Sequence, residues 1–274
     1  MLLEQAMLVQ RARSRVANGL ERAGLLGTVE SVRERWLTMR TGEESTAPAS
    51  LPLPPARLRL LVDGRSTDGE RFLSIGEAML ESIRDAVAAA GTPVAAPLRV
   101  LDFGCGCGRV ARHWEGVDEV ELHGCDYNPE LVGWCEESLP FMALMRNELA
   151  PPSPYEPQSF DLIYGLSVFS HLTETLQRAW VAELRRLLRP GGLLAISVLG
   201  HRVQERLGRG ERERFERGEL VVQRPRMAGR NLCTAYHPRS YVEDSLLAGF
   251  SQVHEFRLGA PKMPLMQDAY VARR

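Results

Sequence analysis

The chain has 274 residues, of which 44% are hydrophobic and 25% charged, and its formal net charge is −1. That is room for one large domain, or a domain with an addition, at the composition of an ordinary globular protein. The charge balance excludes a global field pulling the chain towards nucleic acid or an anionic membrane, and no run of about 18 apolar residues offers a spanning helix. Lys262 is the one lysine beside a host of arginines, a bias that fits GC-rich coding better than an arginine-specific role. The first twenty residues place Glu4 before any arginine, the reverse of a secretory leader. The five cysteines, Cys105, Cys107, Cys125, Cys135 and Cys233, are odd in number. With no leader, they imply reduced thiols and a cytoplasmic location.

In chain order, residues 2–40 read as two amphipathic helices broken near Gly27. Residues 41–56, rich in Pro, Ser and Thr, read as a linker. "RLRLLVDG", 57–64, is expected as a short strand ended by Asp63-Gly64. Thr67 or Asp68 then caps a helix through about Ala90, closed by Gly91. Past Pro97 short apolar runs alternate with helical spacing. Strands are expected at 98–103, 119–125, 141–146, 160–166, 193–199, 251–258 and 268–273, and helices at 107–115, 128–138, 173–188 and 238–248. Such alternation implies an α/β fold with a doubly wound, mostly parallel sheet. The chain divides into an N-terminal helical region or lid, 1–92, and a main domain, 93–274, that carries an insertion at 200–236. The N-terminal region could cap a site or build a homodimer.

The stretch "RVLDFGCGCGRVARHW" (99–114) ends an apolar strand on an acid and follows it with alternating glycines. The crevice of doubly wound folds lies at the carboxyl ends of the strands. Glycines there let the chain turn tightly against a ligand, and free N–H groups at a helix start favour an anionic group. A dinucleotide fingerprint needs a third small residue, where this chain has Arg109. Cys105 and Cys107 are small and tolerate tight packing; a zinc site would need two further ligands converging on the loop. A second strand ends on Asp126 before Asn128-Pro129, 20-odd residues after the loop, where an acid can accept from a ribose diol.

"DFGCGCG" resembles the first motif of the class I S-adenosylmethionine-dependent methyltransferases. "GCDYNPEL", "SFDLIYGLSVFSHL" and "LRRLLRPGGLLAISV" resemble the elements that follow it in that family, over residues 97 to 200. The resemblance implies a seven-stranded sheet and S-adenosylmethionine as cofactor, with S-adenosylhomocysteine as product. It places the glycine loop, Gly104, Cys105 and Gly106, against the methionine part, with Asp102 near its amino group, and Leu166 among the cofactor-binding residues at the active end of the fourth strand. Asp126 takes the ribose, Tyr127 lies beside the adenine, and Asn147, with Glu148 and Leu149, meets the adenine amino group. Asn147 departs from the aspartate usual there, but its carbonyl can still accept.

The acceptor is set by side chains around the transferred methyl. The fourth strand ends Gly165-Leu166-Ser167 without an acid, so no metal is expected; the Asn/Asp-Pro-Pro-Tyr/Phe motif of amino-group methylases is absent, and nucleic acid is not an expected partner. His171, His237 and Tyr236 are the candidates to face the acceptor as a base or positioning group. Each histidine could equally be a capping or packing residue. His201 lies just past the fifth strand, and Arg224, Arg226 and Arg230 could meet an anionic acceptor. The expectation is methyl transfer to oxygen or nitrogen of a small molecule, of secondary metabolism or a sugar, beneath a cap. The alternatives are a protein or peptide acceptor, a non-catalytic cofactor-binding subunit and, disfavoured by Arg109, a nicotinamide oxidoreductase.

Overall fold

The computed structural model describes residue 28 and residues 51–64, 66–91, 98–260 and 263–274. Apart from residue 28, the helices expected at 2–40 lie outside the described residues, as does most of the 41–56 linker. The elements are α1 (Ala56–Asp63), α2 (Gly69–Ala89), β1 (Leu98–Phe103), β2 (Val120–Asp126), α3 (Pro129–Ser138), β3 (Met142–Arg146), β4 (Phe160–Gly165), α4 (Glu174–Leu187), β5 (Leu188–Val198), α5 (Arg209–Glu216), β6 (Val221–Gln223), β7 (Thr234–Tyr236), a short α6 (Arg239–Tyr241) that continues as a π turn, β8 (Ser251–Ala260) and β9 (Met263–Arg273).

Seven strands form one sheet in the order β3-β2-β1-β4-β5-β9-β8. The first five are parallel; β9 and β8 close the edge antiparallel. Both sheet faces are covered, so the central strands are apolar on both sides. Val100, Leu162, Tyr164, Leu193, Ala195 and Val271 point to one face and pack with α2, the turn after β1 and α3. Leu101, Phe103, Ile163, Leu194, Ile196 and Tyr270 point to the other, against α4 and α6. This is the period-two alternation of a strand.

Local signals explain the ends. Asp68 accepts from Arg71 N at 2.9 Å and Asn128 from Glu130 N at 3.0 Å, each capping its helix, with Pro129 preset at the first helical position. Arg189 precedes Pro190 and is driven out of helical backbone, so α4 stops at Leu187 and the Arg-Pro-Gly-Gly stretch already runs as an irregular part of β5.

Two local expectations are corrected. Residues 57–64 are not a strand: Ala56–Asp63 is helical, ended by Gly64 at φ +74° with its N–H on the Leu60 carbonyl. The short apolar run was ambiguous between the two periods, and packing decided it. The helix expected at 107–115 is only a 3-10 turn, Ala111–Trp114. α2 fills that side of the sheet instead: Ile75, Met79, Ile83 and Val87 share one core with Val100, Ala111 and Trp114. Each such side chain contributes about 1.5–3 kcal/mol on burial. The packing therefore runs without a break across the domain boundary expected near residue 92.

Candidate active site

The glycine turn after β1 is tied down by its own amides. Gly104 N and Cys105 N both donate to the Cys125 carbonyl, at 2.8 and 3.0 Å, and Gly106 N donates to Asp126 Oδ2 at 3.0 Å. The turn is thus strapped to the end of β2. The amides of 104, 105 and 106 are thereby spent, and a 3-10 turn follows in place of an α-helix. Those three amides are not free to cradle an anion. Glycine is required at 104 for two reasons: φ is +74°, and a Cβ would stand 2.5 Å from Val168 Cγ2.

Around this turn lies a cavity of about 560 Å³ at the carboxyl ends of β1, β2, β3 and β4. Asp102, Gly104, Cys105, Gly106, Asp126, Tyr127, Asn147, Glu148, Leu149 and Leu166 all line it. Every residue that the sequence named for the cofactor therefore meets in one wall.

Asp102 is 4% exposed, with Oδ2 lacking any hydrogen-bond partner. Burial is the main cause that lifts its pKa to about 7; the Tyr164 hydroxyl opposes the lift and the nearby Asp126 charge adds to it. Tyr164 sits opposite Asp102 in the β1–β4 register, and its oxygen accepts from Trp114 Nε1 at 3.2 Å. The fully buried tyrosine is thereby oriented to donate to the carboxylate.

Asp126 is also raised by burial, against three backbone N–H groups that favour the charged form. Asn147 is 7% exposed; its Nδ2 donates to the Glu148 carbonyl at 2.7 Å and its Oδ1 is unpartnered. Buried polar atoms without partners cost free energy. Two unpartnered oxygens in one cavity wall fit a ligand that brings donors, such as an ammonium and an exocyclic amine.

The opposite wall draws on the two pieces expected as a lid and a cap, though with α1 as a helix in place of the expected strand. Arg57, Leu60, Leu61, Val62 and Gly64 of α1 line the cavity, as do Gly229, Arg230, Asn231 and Leu232 of the insertion. These two pieces hold each other: Asn231 Nδ2 donates to the Leu61 carbonyl at 2.6 Å. The insertion is held to the floor where Tyr127 Oη donates to the Gly229 carbonyl at 2.6 Å and Gly229 N to the His171 carbonyl at 2.8 Å. Arg57 pairs with Glu130 across the rim. The sequence signals for this roof were coarse: an N-terminal region beyond the needs of the core fold, and an insertion at the active edge of the sheet.

The catalytic candidates separate. His171 lines the cavity. Its Nδ1 lies 2.8 Å from the Cys233 carbonyl, which can only accept, so Nδ1 carries the proton and Nε2 keeps its lone pair. Burial lowers its pKa below the usual histidine value. His237 and Tyr236 are absent from the cavity wall. His237 is 1% exposed, 3.1 Å from Gln177 Oε1, with burial pushing its pKa down to about 3. Tyr236 packs with Val203, Phe215 and Val221. Their loop turns inward because β7 pairs with β6 and buries both against the insertion. His201 is exposed and packs edge-on to Phe215, away from the cavity. Of the three arginines, Arg230 lines the cavity and Arg224 donates to the Leu232 carbonyl.

No group of three or more metal-ligating side chains occurs among the described residues, and none of their helices is long and apolar enough to cross a membrane.

Residues 100–192 match a family model described as a methyltransferase domain. The chain is 29% identical over 136 residues to a trans-aconitate 2-methyltransferase of Methylobacterium nodulans, covering 48% of this chain and 49% of that protein. It is 30% identical over 104 residues to a ubiquinone biosynthesis O-methyltransferase of Cereibacter sphaeroides, covering 37% and 41%. The chain spans about half the length, or less, of the curated relatives it matches here. In fold it is similar to a 1,6-didemethyltoxoflavin-N1-methyltransferase of Burkholderia thailandensis, solved with 1,6-didemethyltoxoflavin and S-adenosylhomocysteine bound, at a TM-score of 0.53 and 20% identity over 86% of this chain and 97% of that one.

Proposed function

We propose that this chain, a class I S-adenosylmethionine-dependent methyltransferase by its fold and by the family of residues 100–192, moves a methyl group to an oxygen or nitrogen of a small-molecule acceptor. The observation that carries the reading is the pair of buried, unpartnered oxygens, Asp102 Oδ2 and Asn147 Oδ1, in one cavity wall with the strapped glycine turn.

When bound, S-adenosylmethionine supplies a methyl on a sulfonium, with a good leaving group already in place. Asp102 holds the ammonium of its amino-acid end, Asp126 the ribose diol, and Asn147 Oδ1 accepts from the adenine amine. Tyr127 and Leu149 flank the base. The roof from α1 and 229–232 excludes water and holds the acceptor. Alignment of this kind is worth on the order of 7–11 kcal/mol in model reactions. His171 Nε2, free to accept, takes a proton from an acceptor that must lose one. We take the transfer to run without a metal, because β4 ends at Gly165 and is followed by Leu166 and Ser167, with no carboxylate there.

The roofed cavity, at about 560 Å³, has the size of a small-ligand site, which favours a small molecule over a peptide. A cavity left open by the chain's own side chains speaks against a non-catalytic subunit. The test is calorimetric titration with S-adenosylhomocysteine, with NADH and Asp126→Ala as controls. Micromolar binding that is lost in the variant and absent for NADH is the expected result. No binding by the folded protein overturns the reading.

A further inference from the structure

The chemistry proposed for the cavity leaves two buried polar side chains unused, Gln177 of α4 and His237. Gln177 is 0% and His237 1% exposed, and neither lines the cavity. Both amide protons of Gln177 are committed: Nε2 donates to the Phe169 and Leu172 carbonyls, each at 3.1 Å. Those carbonyls bracket the 3-10 turn Phe169–His171, which carries His171. A carbonyl only accepts, so the amide has one orientation, and its Oε1 meets His237 Nε2 at 3.1 Å. That oxygen also only accepts, so His237 holds its proton on Nε2 and donates it. Burial keeps the ring neutral, pushing its pKa down to about 3. A glutamine sealed in a core costs free energy unless its hydrogen bonds are made, and a satisfied buried network holds the chain in one arrangement.

His237 also closes the neck of the insertion. Its N–H donates to the Leu199 carbonyl at 2.7 Å, where the insertion leaves β5, and Tyr236 bridges to Leu199. The insertion in turn grips His171. The Cys233 carbonyl takes the Nδ1 proton at 2.8 Å, and Gly229 N donates to the His171 carbonyl at 2.8 Å. The contacts close on themselves, from His171 to Cys233, through β7 to His237, on to Gln177 and back to the turn. We infer that Gln177 and His237 are a positioning pair that locks the turn at 169–171 to the neck of the insertion, and so keeps the proton of His171 on Nδ1 and the Nε2 lone pair open to the acceptor. The inference rests on the reading of His171 as the group that takes a proton, and assigns what sets its tautomer. Neither side chain touches the reacting atoms; both act through His171.

The experiment reads the ring nitrogens of His171 by nitrogen NMR on the whole chain, with the His171→Ala spectrum assigning its signals among the six histidines. The wild-type protein is expected to show one tautomer, with the proton on Nδ1. Gln177→Leu removes the two donors and the acceptor together. It should replace that signature with a mixture of tautomers, while affinity for S-adenosylhomocysteine stays within a few-fold of wild type. His237→Phe keeps a ring in place and removes only the Nε2 donor. It should give the same change in smaller measure, and carries the test if Gln177→Leu fails to fold. His237→Gln, whose amide can donate where Nε2 did, should restore the wild-type signature. An unchanged signature in Gln177→Leu and His237→Phe, with only a lower melting temperature, would mean that the pair merely fills the core, and would overturn the inference while the cofactor reading stands. So would a failure of His237→Gln to rescue, or a loss of S-adenosylhomocysteine binding in step with the tautomer. A wild-type protein that shows the signature but binds no S-adenosylhomocysteine would remove the functional reading, and with it the role for which His171 is held.

Discussion

The two walls of the cavity are built differently. The floor comes from strand ends and the turns that leave them: Asp102, the glycine turn, Asp126, Asn147 and Leu166. Its parts are fixed by the sheet register and by amides strapped to the neighbouring strand, and they lie in one contiguous stretch of sequence. The roof comes from α1 and residues 229–232, more than 160 positions apart, joined by single side-chain hydrogen bonds such as Asn231 to Leu61. A floor made this way resists change, and on the proposed reading it is the part that would hold the cofactor. A roof made this way is adjustable, and loops of this kind commonly set specificity.

The largest effect is expected where floor and roof meet. His171→Ala should lower the rate of methyl transfer by 10²–10⁴-fold for an acceptor that loses a proton, with affinity for S-adenosylhomocysteine within a few-fold of wild type. A joint loss of rate and binding would assign His171 to the structure of the junction instead. Because burial holds its pKa below the usual value, the imidazole stays neutral to lower pH than an ordinary histidine. Its contribution should fall only on acidification below that range, a sign that a pH–rate profile checks directly.

Within the floor, Gly104→Ala forces a side chain into left-handed backbone and against Val168. About 1–3 kcal/mol of destabilisation is expected, read as a drop in melting temperature together with loss of cofactor binding. Unchanged stability would mean that the turn is looser than its hydrogen bonds imply.

Asp102 gives the floor a pH signature. Its pKa of about 7 exceeds the ordinary carboxylate value, so the native protein holds a proton that the unfolded chain has released between roughly pH 4 and 7. This group therefore lowers stability as pH rises through that window. Cofactor binding runs the other way, since an ammonium prefers the ionised acid. Affinity for S-adenosylhomocysteine should tighten by roughly eightfold from pH 6 to 7.5, a dependence absent in Asp102→Asn. Tyr164→Phe removes the hydroxyl that opposes the lift, and should move the same curve to higher pH by a fraction of a unit to one unit. A simple packing defect would lower affinity without moving the curve.

The smallest effect belongs to the roof. Asn231→Ala removes one exposed side-chain bond to Leu61. It should cost about 0.5–1.5 kcal/mol at most and leave S-adenosylhomocysteine binding nearly intact, while weakening the acceptor. A large loss of cofactor binding would mean that the roof, and not the floor, holds the cofactor.

The floor was legible because each of its residues sits at a strand end, and strand ends are announced by apolar runs closed by Asp, Asn or Gly. Asp102 and Asp126 follow directly from "RVLDFG" and "LHGCDYNP", and all seven strands lie near their expected positions. Of the roof, the two source regions were legible but not their local structure or their contact. "RLRLLVDG" is too short to separate a helix from a strand by period, and the contact of residue 61 with residue 231 has no local signature. His237 and His171 looked alike as sequence. One is sealed in the core by β6 and β7, while the other is turned to the cavity by a bond to the Cys233 carbonyl.

The sequence by itself determined the succession of strands and helices of an α/β fold, the turn that only glycine can make, and the acids that wait at its edge, because periodicity and backbone sterics act over a few residues. Only the tertiary structure decided that the amides of 104, 105 and 106 are already bonded, that Arg109 Nε is buried in the cavity wall without a partner, and that His171 lines the cavity while His237 does not. Those outcomes depend on desolvation and on partners far away in the chain, and neither is written in any local stretch of residues.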